Sequence, residues 1–139
     1  MQATATPGYS RTPLAKKLGF KERSTAYLID APKEYPRLVD PLPPGVIFES
    51  RLNERVDIVH VFATRRAALA RHLSKLRAAI RTDAAVWVSW PKKSAKVPTD
   101  ITEGAIREVA LPIGFVDIKV CAVSDVWSGL KLVIRKELR

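Results

Sequence analysis

The sequence predicts an α/β domain of three layers, with a mostly parallel sheet of about six strands and an antiparallel C-terminal hairpin. Three observations predict this class. The 139 residues fit one domain. Short apolar runs alternate along the chain with segments of helical periodicity, as in layered α/β domains. The last two strand-like runs, residues 116–123 and 129–136, are joined by a link short enough for a hairpin.

Residues 1–25 are predicted to be a basic N-terminal arm with one short helix, and residues 26–139 to be a single α/β domain. The helix is expected over residues 12–19. Thr12 suits the N-cap, Pro13 the first helical position and Gly19 the C-terminal cap.

The part of the domain up to residue 62 contains three short strand-like segments. We predict strands at residues 26–29, 46–49 and 56–62, with a short helix or turn at 33–41 and a turn at 42–45. The third strand is almost continuously apolar, which is typical of a strand covered on both faces of a sheet.

The clearest helix is predicted over residues 65–81, because Leu69, Leu73, Leu76 and Ile80 recur at helical spacing. Thr64 is its expected N-cap. A strand at residues 84–90 and a basic loop at 91–99 follow. Asp100 and Glu103 have the spacing of a capping box, so a further helix is expected from residue 100 to residue 111.

The net charge of +10 is unevenly distributed along the chain. Residues 1–25 contribute +4 and residues 65–82 contribute +6, while the remaining segments cancel. On the predicted helix, Arg71, Lys75 and Arg81 point away from the apolar stripe and form a basic helix face. A local excess of this kind favours an anionic partner, and nucleic acid is the first candidate.

Several classes of function are excluded or disfavoured. A single cysteine, Cys121, rules out an internal disulfide, and with His60 and His72 it makes no convincing zinc site. We therefore predict no metal and no cofactor. No apolar run approaches the about 20 residues of a membrane helix. No signal-peptide core is present, so we predict a cytoplasmic protein without a membrane partner.

A candidate ligand-binding site follows from the predicted topology, because ligands of open α/β sheets bind beyond the carboxyl ends of the strands. We call the polar and aromatic residues expected there the predicted rim. Its members are Asp30, Thr64, Arg65, Arg66, Ser89, Trp90, Lys92, Lys93, Asp125, Trp127 and Ser128. Basic groups, a helix N-terminus and indole rings suit an anionic ligand with a planar ring, such as a nucleotide. The alternative is that these residues are solvated loops and that the two Trp side chains only pack.

Two resemblances extend this reading. From Asp57 onward, the order strand, helix, strand, helix, hairpin resembles the second half of class I S-adenosylmethionine-dependent methyltransferases. That family has a Gly-rich turn after its first strand, and this chain has Asp30-Ala31-Pro32-Lys33-Glu34 there. Three segments also resemble a bacterial family of domains of unknown function: WVSWPKK (87–93), IREVALP (106–112) and VWSGLKLV (126–133).

Three functions remain open from the sequence. The first is a non-catalytic binding module for an anionic partner: nucleic acid, a nucleotide or an acidic protein. The second is a degenerate methyltransferase-like enzyme or nucleotide-binding protein. The third is a protein-interaction module, such as a homodimer paired through a sheet edge or hairpin.

Overall fold

The computed structural model describes residues 12–139, and part of the predicted arm lies outside these residues. The helices are α1 (Leu14–Leu18), α2 (Tyr35–Leu38), α3 (Arg66–Ala79) and α4 (Glu103–Ala110). The strands are β1 (Thr25–Ile29), β2 (Ile47–Phe48), β3 (Ile58–Phe62), β4 (Ala85–Pro91), β5 (Phe115–Ala122) and β6 (Trp127–Ile134). Three 3₁₀ turns lie at Lys93–Ala95, Leu111–Ile113 and Lys136–Leu138.

The six strands form one sheet in the order β2-β1-β3-β4-β6-β5. The pairs β2–β1, β1–β3 and β3–β4 are parallel, and the pairs β4–β6 and β6–β5 are antiparallel. The predicted fold class, a mostly parallel α/β sheet with an antiparallel C-terminal hairpin, is therefore confirmed.

Each face of the sheet is covered by its own pair of helices. Alternating residues of β3 and β4 point to opposite faces, as in any strand. Leu69 and Leu73 of α3 and Ile106 of α4 pack on one face with Val59 and Val61. Leu18 of α1 and Tyr35 of α2 pack on the other face with Trp87, whose indole Nε1 donates to the Leu18 carbonyl at 2.9 Å. We refer to these as the α3–α4 face and the α1–α2 face.

Helix ends differ in part from the predictions. Gly19 takes the expected left-handed conformation, with φ of 93°, at the end of α1. Thr64 does not cap α3. Arg65 occupies the N-cap position, and the Asp100 carboxylate accepts from the Arg66 backbone N–H at 2.6 Å. The predicted capping box is wrong, because Asp100 serves α3 while Thr102 caps α4.

Element boundaries differ from the predicted ones by one to three residues elsewhere. The second strand spans two residues only, and the third begins at Ile58. α3 ends at Ala79, so Arg81 lies beyond the helix. No helix among residues 12–139 has the length and apolar character that crossing a membrane requires.

Candidate functional site

The point at which successive strands begin to be added on the other side of the sheet lies between β1 and β3. The chain passes outward from β1 to β2, and then returns to the opposite side of β1 to form β3. In open α/β sheets, the crevice beyond the carboxyl ends of the strands at such a switch point is the usual ligand site. Asp30 directly follows β1, and Ala63, Thr64 and Arg65 directly follow β3.

A cavity of about 230 Å³ opens at this switch point. It brings together four members of the predicted rim and four further residues. The lining is Asp30, Thr64, Arg65 and Trp127, with Phe62, Ala63, Ala68 and His72. The cavity therefore contains a carboxylate, a guanidinium, a hydroxyl and two aromatic rings.

Asp30 forms the turn that leaves β1 and opens the cavity. Its backbone has φ of 55°, in the left-handed region that Gly, Asn and Asp tolerate best. Its Oδ2 lies 3.9 Å from Nε2 of His72, and its side chain is 75% exposed. The turn is thus made without the glycine of the methyltransferase pattern, and it presents a carboxylate to the cavity.

The opposite wall is built where β3 leads into α3. The Thr64 carbonyl accepts from the Thr99 hydroxyl at 2.7 Å, and Asp100 accepts the first free N–H of α3. Arg66 is further tied to Glu108 at 2.7 Å. These contacts fix the start of α3, and Arg65 is left exposed beside the cavity.

The aromatic wall rests on a buried polar network. Phe62 meets Trp127 edge-on at 5.1 Å and stacks on His60 at 4.3 Å. The His60 ring is hydrogen-bonded to the Tyr35 hydroxyl at 2.9 Å and to the Ser89 hydroxyl at 2.8 Å. Both ring nitrogens are thereby satisfied, as a buried imidazole requires.

Burial controls the protonation of this network. Desolvation disfavours the charged imidazolium and lowers the pKa of His60 to about 3. Desolvation also raises the pKa of Tyr35 above its ordinary value. The network is therefore neutral at pH 7 and holds Phe62 in place without an ionic contact.

The structure separates other rim residues from the cavity. Ser89 is fully buried and occupied with His60, and Trp90 is 8% exposed in the core of the α3–α4 face. Lys92, Lys93 and Ser128 lie at the ends of β4 and β6, and Asp125 lies in the hairpin turn. These six are not in the cavity lining.

The predicted basic helix face is only partly formed. Arg71 and Lys75 are exposed on α3. Arg81 instead donates to Asp83 and Asp57, both at 2.8 Å. Hydrogen bonds to Asp83 and then Asp57 raise the pKa of Arg81. Arg81 is therefore engaged in ion pairs and does not extend the basic face.

Sequence reasoning missed four residues of the cavity lining, namely Phe62, Ala63, Ala68 and His72. Helical spacing contained a signal for His72, since residues 65, 68 and 72 fall on one side of a helix. Phe62 gave no such signal, because a buried strand is apolar on both faces. Within residues 12–139, no three His, Cys, Asp or Glu side chains are grouped so that they could hold a metal ion.

Comparison with known proteins identifies the fold. No family model matches the chain, and no curated protein does. Solved structures match well. A putative type 11 methyltransferase from Sulfolobus solfataricus aligns with a TM-score of 0.58 at 12% identity, over 81% of this chain and 85% of that one. A SAM-dependent methyltransferase from Aquifex aeolicus gives a TM-score of 0.56 at 15% identity, over 88% of each chain.

The DhpI–SAH complex gives a TM-score of 0.59 at 9% identity, over 88% of this chain and 81% of that one. The TM-scores establish the fold, and at identities this low the alignments show nothing finer than the fold. The chain has the methyltransferase-like Rossmann fold, as its element order predicts.

Proposed function

We propose that this protein binds an S-adenosyl compound, or a related adenine nucleotide, in the cavity between the carboxyl ends of β1 and β3. The observation that carries the proposal is the position of this cavity at the switch point of a methyltransferase-like sheet. Two of the structural neighbours are described as methyltransferases, one of them as putative, and a third, DhpI, is a complex with SAH. They support the methyltransferase-like alternative more than they support a general anion-binding module.

The lining matches the chemistry of such a ligand. S-adenosylhomocysteine joins a planar adenine to an amino acid that carries one ammonium and one carboxylate group. Asp30 offers a negative charge to the first and Arg65 a positive charge to the second, as charge-assisted hydrogen bonding requires. Trp127 offers aromatic surface to the adenine, and the buried Phe62 ring packs edge-on against Trp127.

The size of the cavity suits a part of this ligand. A volume of about 230 Å³ is below the roughly 300–1,000 Å³ of typical small-molecule pockets. A second cavity, of about 340 Å³, lies on the other side of His72, between Tyr27 and Ile29 of β1 and Lys75 of α3. A ligand longer than a nucleoside would extend past His72 into this space.

The proposed activity is binding, and the alternative is catalysis by methyl transfer. Ser89 and His60 have the 2.8 Å spacing of a nucleophile and its base. However, their residues are 0% and 1% exposed, with Phe62 stacked on the imidazole. This pair is therefore out of reach of any substrate in the cavity and serves as support for its wall.

Calorimetric titration and thermal unfolding with S-adenosylmethionine, S-adenosylhomocysteine, adenosine and ATP test the proposal. A ligand that binds only the folded state raises its stability, by about 2.7 kcal/mol at a hundredfold excess over Kd. We expect a shift with at least one S-adenosyl compound or with ATP. Asp30→Asn and Arg65→Gln should each weaken binding at least about tenfold, since each removes a charged contact worth more than about 1.4 kcal/mol.

Matched variants make this test specific. Asn also tolerates the left-handed backbone, so Asp30→Asn preserves the turn. Arg71→Gln, which changes the same charge on an exposed part of α3, is the control for Arg65→Gln and should bind normally. The proposal is wrong if all four compounds fail to bind or shift the unfolding temperature. It is also wrong if Arg71→Gln weakens binding as much as Arg65→Gln.

Three finer predictions accompany the proposal. The cytoplasmic location, the division into an arm and a domain, and the likeness to a bacterial family of unknown function rest on the sequence alone. A methyl-transfer assay with isotopically labelled S-adenosylmethionine distinguishes the catalytic alternative. Sedimentation at high protein concentration tests the homodimer.

A further inference from the structure

A second basic surface lies on the α1–α2 face, where three lysines of the predicted basic arm meet two lysines of the C-terminal hairpin. Lys16 and Lys17 of α1 and Lys119 of β5 line a cavity of about 550 Å³ together with Thr12 and Cys121. The Lys119 ammonium donates to the Lys17 carbonyl at 3.4 Å. Lys131 of β6 is the direct cross-strand partner of Lys119. We call Lys16, Lys17, Lys21, Lys119 and Lys131 the lysine surface.

These lysines stand close enough to repel one another. Partial burial lowers the pKa of Lys131, and the charges of Lys119 and Lys21 lower it further. Lys17 and Lys119 both act electrostatically on the Cys121 thiol. The α1 lysines and the hairpin lysines therefore form one electrostatic group, although about a hundred residues separate them in sequence.

No carboxylate among residues 12–139 forms an ion pair with a lysine of this group. Glu22 is the acidic residue nearest in sequence, and it forms no such ion pair. Residues 1–11 contain Arg11 and no acidic residue, so they add no negative charge whatever their conformation.

Protection of a sheet edge does not account for the arrangement. A lysine on an edge strand such as β5 discourages pairing with another chain, which would explain Lys119 alone. Lys131 belongs to β6, which lies between β4 and β5 inside the sheet. Like charges directly opposite each other destabilise a strand pair. Placing Lys131 opposite Lys119 is thus costly, and binding of an anionic partner would offset the cost.

We propose that the lysine surface binds the phosphate backbone of nucleic acid. Cores of protein–protein interfaces are depleted in lysine and contain aromatic anchors. This surface is rich in lysine, and among residues 12–139 no aromatic residue lines its cavity. Lysine ammonium groups suit phosphates contacted without regard to base sequence. The site is independent of the switch-point cavity, which lies beyond the ends of β1 and β3.

The test measures binding of the full chain to a fluorescein-labelled 20-nucleotide RNA and to a 20-base-pair DNA duplex by anisotropy. Salt is varied from 25 to 300 mM. The logarithm of affinity should fall linearly with that of salt concentration, since phosphate contacts release counterions. The double variant Lys119→Gln/Lys131→Gln should bind at least about tenfold more weakly at low salt. Its salt slope should be shallower by about 1.4 to 1.8, because each lost contact removes about 0.7 to 0.9.

The control is Arg71→Gln/Lys75→Gln, which removes the same charge from the opposite face. It should bind within about twofold of the natural chain, as expected when only long-range charge changes. Lys17→Gln/Lys21→Gln tests the α1 side of the same surface, should the hairpin variant fold poorly. Circular dichroism and urea unfolding check that each variant is folded.

Three results overturn the proposal. The first is the absence of binding to either nucleic acid at 25 mM salt. The second is an equal loss of affinity in the hairpin variant and the α3 control, which would reduce the effect to net charge. The third is displacement by polyglutamate as effective as by unlabelled nucleic acid, which would indicate an acidic protein partner. The Asp30→Asn variant should bind nucleic acid as the natural chain does. Failure of the nucleic-acid proposal is therefore distinguishable from failure of the proposed binding of an S-adenosyl compound.

Discussion

The two faces of the sheet differ in the cations that the structure groups together and in the partners of those cations. On and around the α3–α4 face, the cations that form ion pairs are arginines. Arg66 binds Glu108, Arg81 binds Asp57 and Asp83, and Arg107 binds Glu103 and Asp117. On the α1–α2 face the cations are lysines, and they cluster among themselves.

The difference shows that a net charge of +10 does not locate a binding surface. The segment with the largest excess, residues 65–82, contains two of the paired arginines. Arginine suits such pairs because its planar guanidinium binds two carboxylates at once. The charge that remains unpaired lies partly in a hairpin whose own sequence is nearly balanced. Four predictions test this contrast between the faces.

The largest expected effect comes from Trp87, which joins α1 to the sheet. Trp87→Ala should lower the free energy of unfolding by about 3–5 kcal/mol, because it leaves a large cavity and frees the Leu18 carbonyl. Urea denaturation followed by circular dichroism measures it. Leu73→Ala, at an equally buried position on the opposite face, is the control and should cost about 2–5 kcal/mol. A loss below about 1 kcal/mol for Trp87→Ala would show that α1 is only loosely attached.

The second effect is a pH dependence of the free energy of unfolding, which is caused by His60 beneath the α1–α2 face. The pKa of His60 lies near 3 when folded, below the value of about 6.5 of an unfolded histidine. The unfolded chain therefore takes up the proton first. Stability from this residue is complete above pH 6.5 and is lost as pH falls toward 3, by about 1.4 kcal/mol per pH unit. His60→Gln, which can still bond Tyr35 and Ser89, should be less stable at pH 7 but lack this slope.

The urea unfolding midpoints of the natural chain and of His60→Gln at pH 7, 6, 5 and 4.5 test this prediction. The difference between the two curves isolates His60 from the carboxylates, which titrate in both chains. Parallel curves would mean that the imidazole accepts a proton in the folded state without penalty.

A smaller effect is expected at Arg81, which forms ion pairs with Asp57 and Asp83. Arg81→Gln removes the bonds to Asp57 and Asp83 and should cost no more than about 1 kcal/mol, because both carboxylates are partly exposed to water. The cost should shrink in 1 M salt, which screens the ion pairs. Urea unfolding at low and high salt measures both. A gain in stability on substitution would contradict the view that this arginine is structurally engaged.

The smallest effect has the opposite sign. Lys131→Gln should raise the free energy of unfolding by about 0.2–1 kcal/mol, because it removes a like-charge cross-strand pair. Raising the salt concentration should diminish this gain. Urea unfolding again measures it, with Lys75→Gln on α3 as a near-neutral control. Destabilisation of the Lys131 variant would mean that its aliphatic stem contributes more by packing than its charge costs.

Sequence reasoning was most successful where local pattern and tertiary structure coincide. The alternation of strands and helices, the Gly19 cap and the C-terminal hairpin follow from residue type and spacing. The cap of α3 does not, because Asp100 comes from a loop 34 residues away. The short-range pattern at Asp100 and Glu103 suggested a local partner, and a more distant one formed instead.

The candidate site shows the same limit. Asp30, Thr64, Arg65 and Trp127 could be placed together, because the parallel strands end at the edge of the sheet where the antiparallel strand β6 begins. Ser89 and Trp90 could not be assigned to the cavity or to the core from sequence, because a strand that is buried on both faces shows no alternation of polarity. The pairing of Lys119 with Lys131 depends on hairpin register across a bulge, which composition does not reveal.

The interior position of β6 has a consequence for synthesis of the chain. β6 supplies Leu130, Leu132 and Ile134 to the core, yet it follows the other five strands of the sheet in chain order. Until it inserts, β4 presents an open hydrogen-bonding edge beside Val86 and Val88, and such edges recruit strands from other chains. Nascent or truncated chains that end before Trp127 should therefore aggregate, which makes completion of the hairpin the step on which productive folding depends.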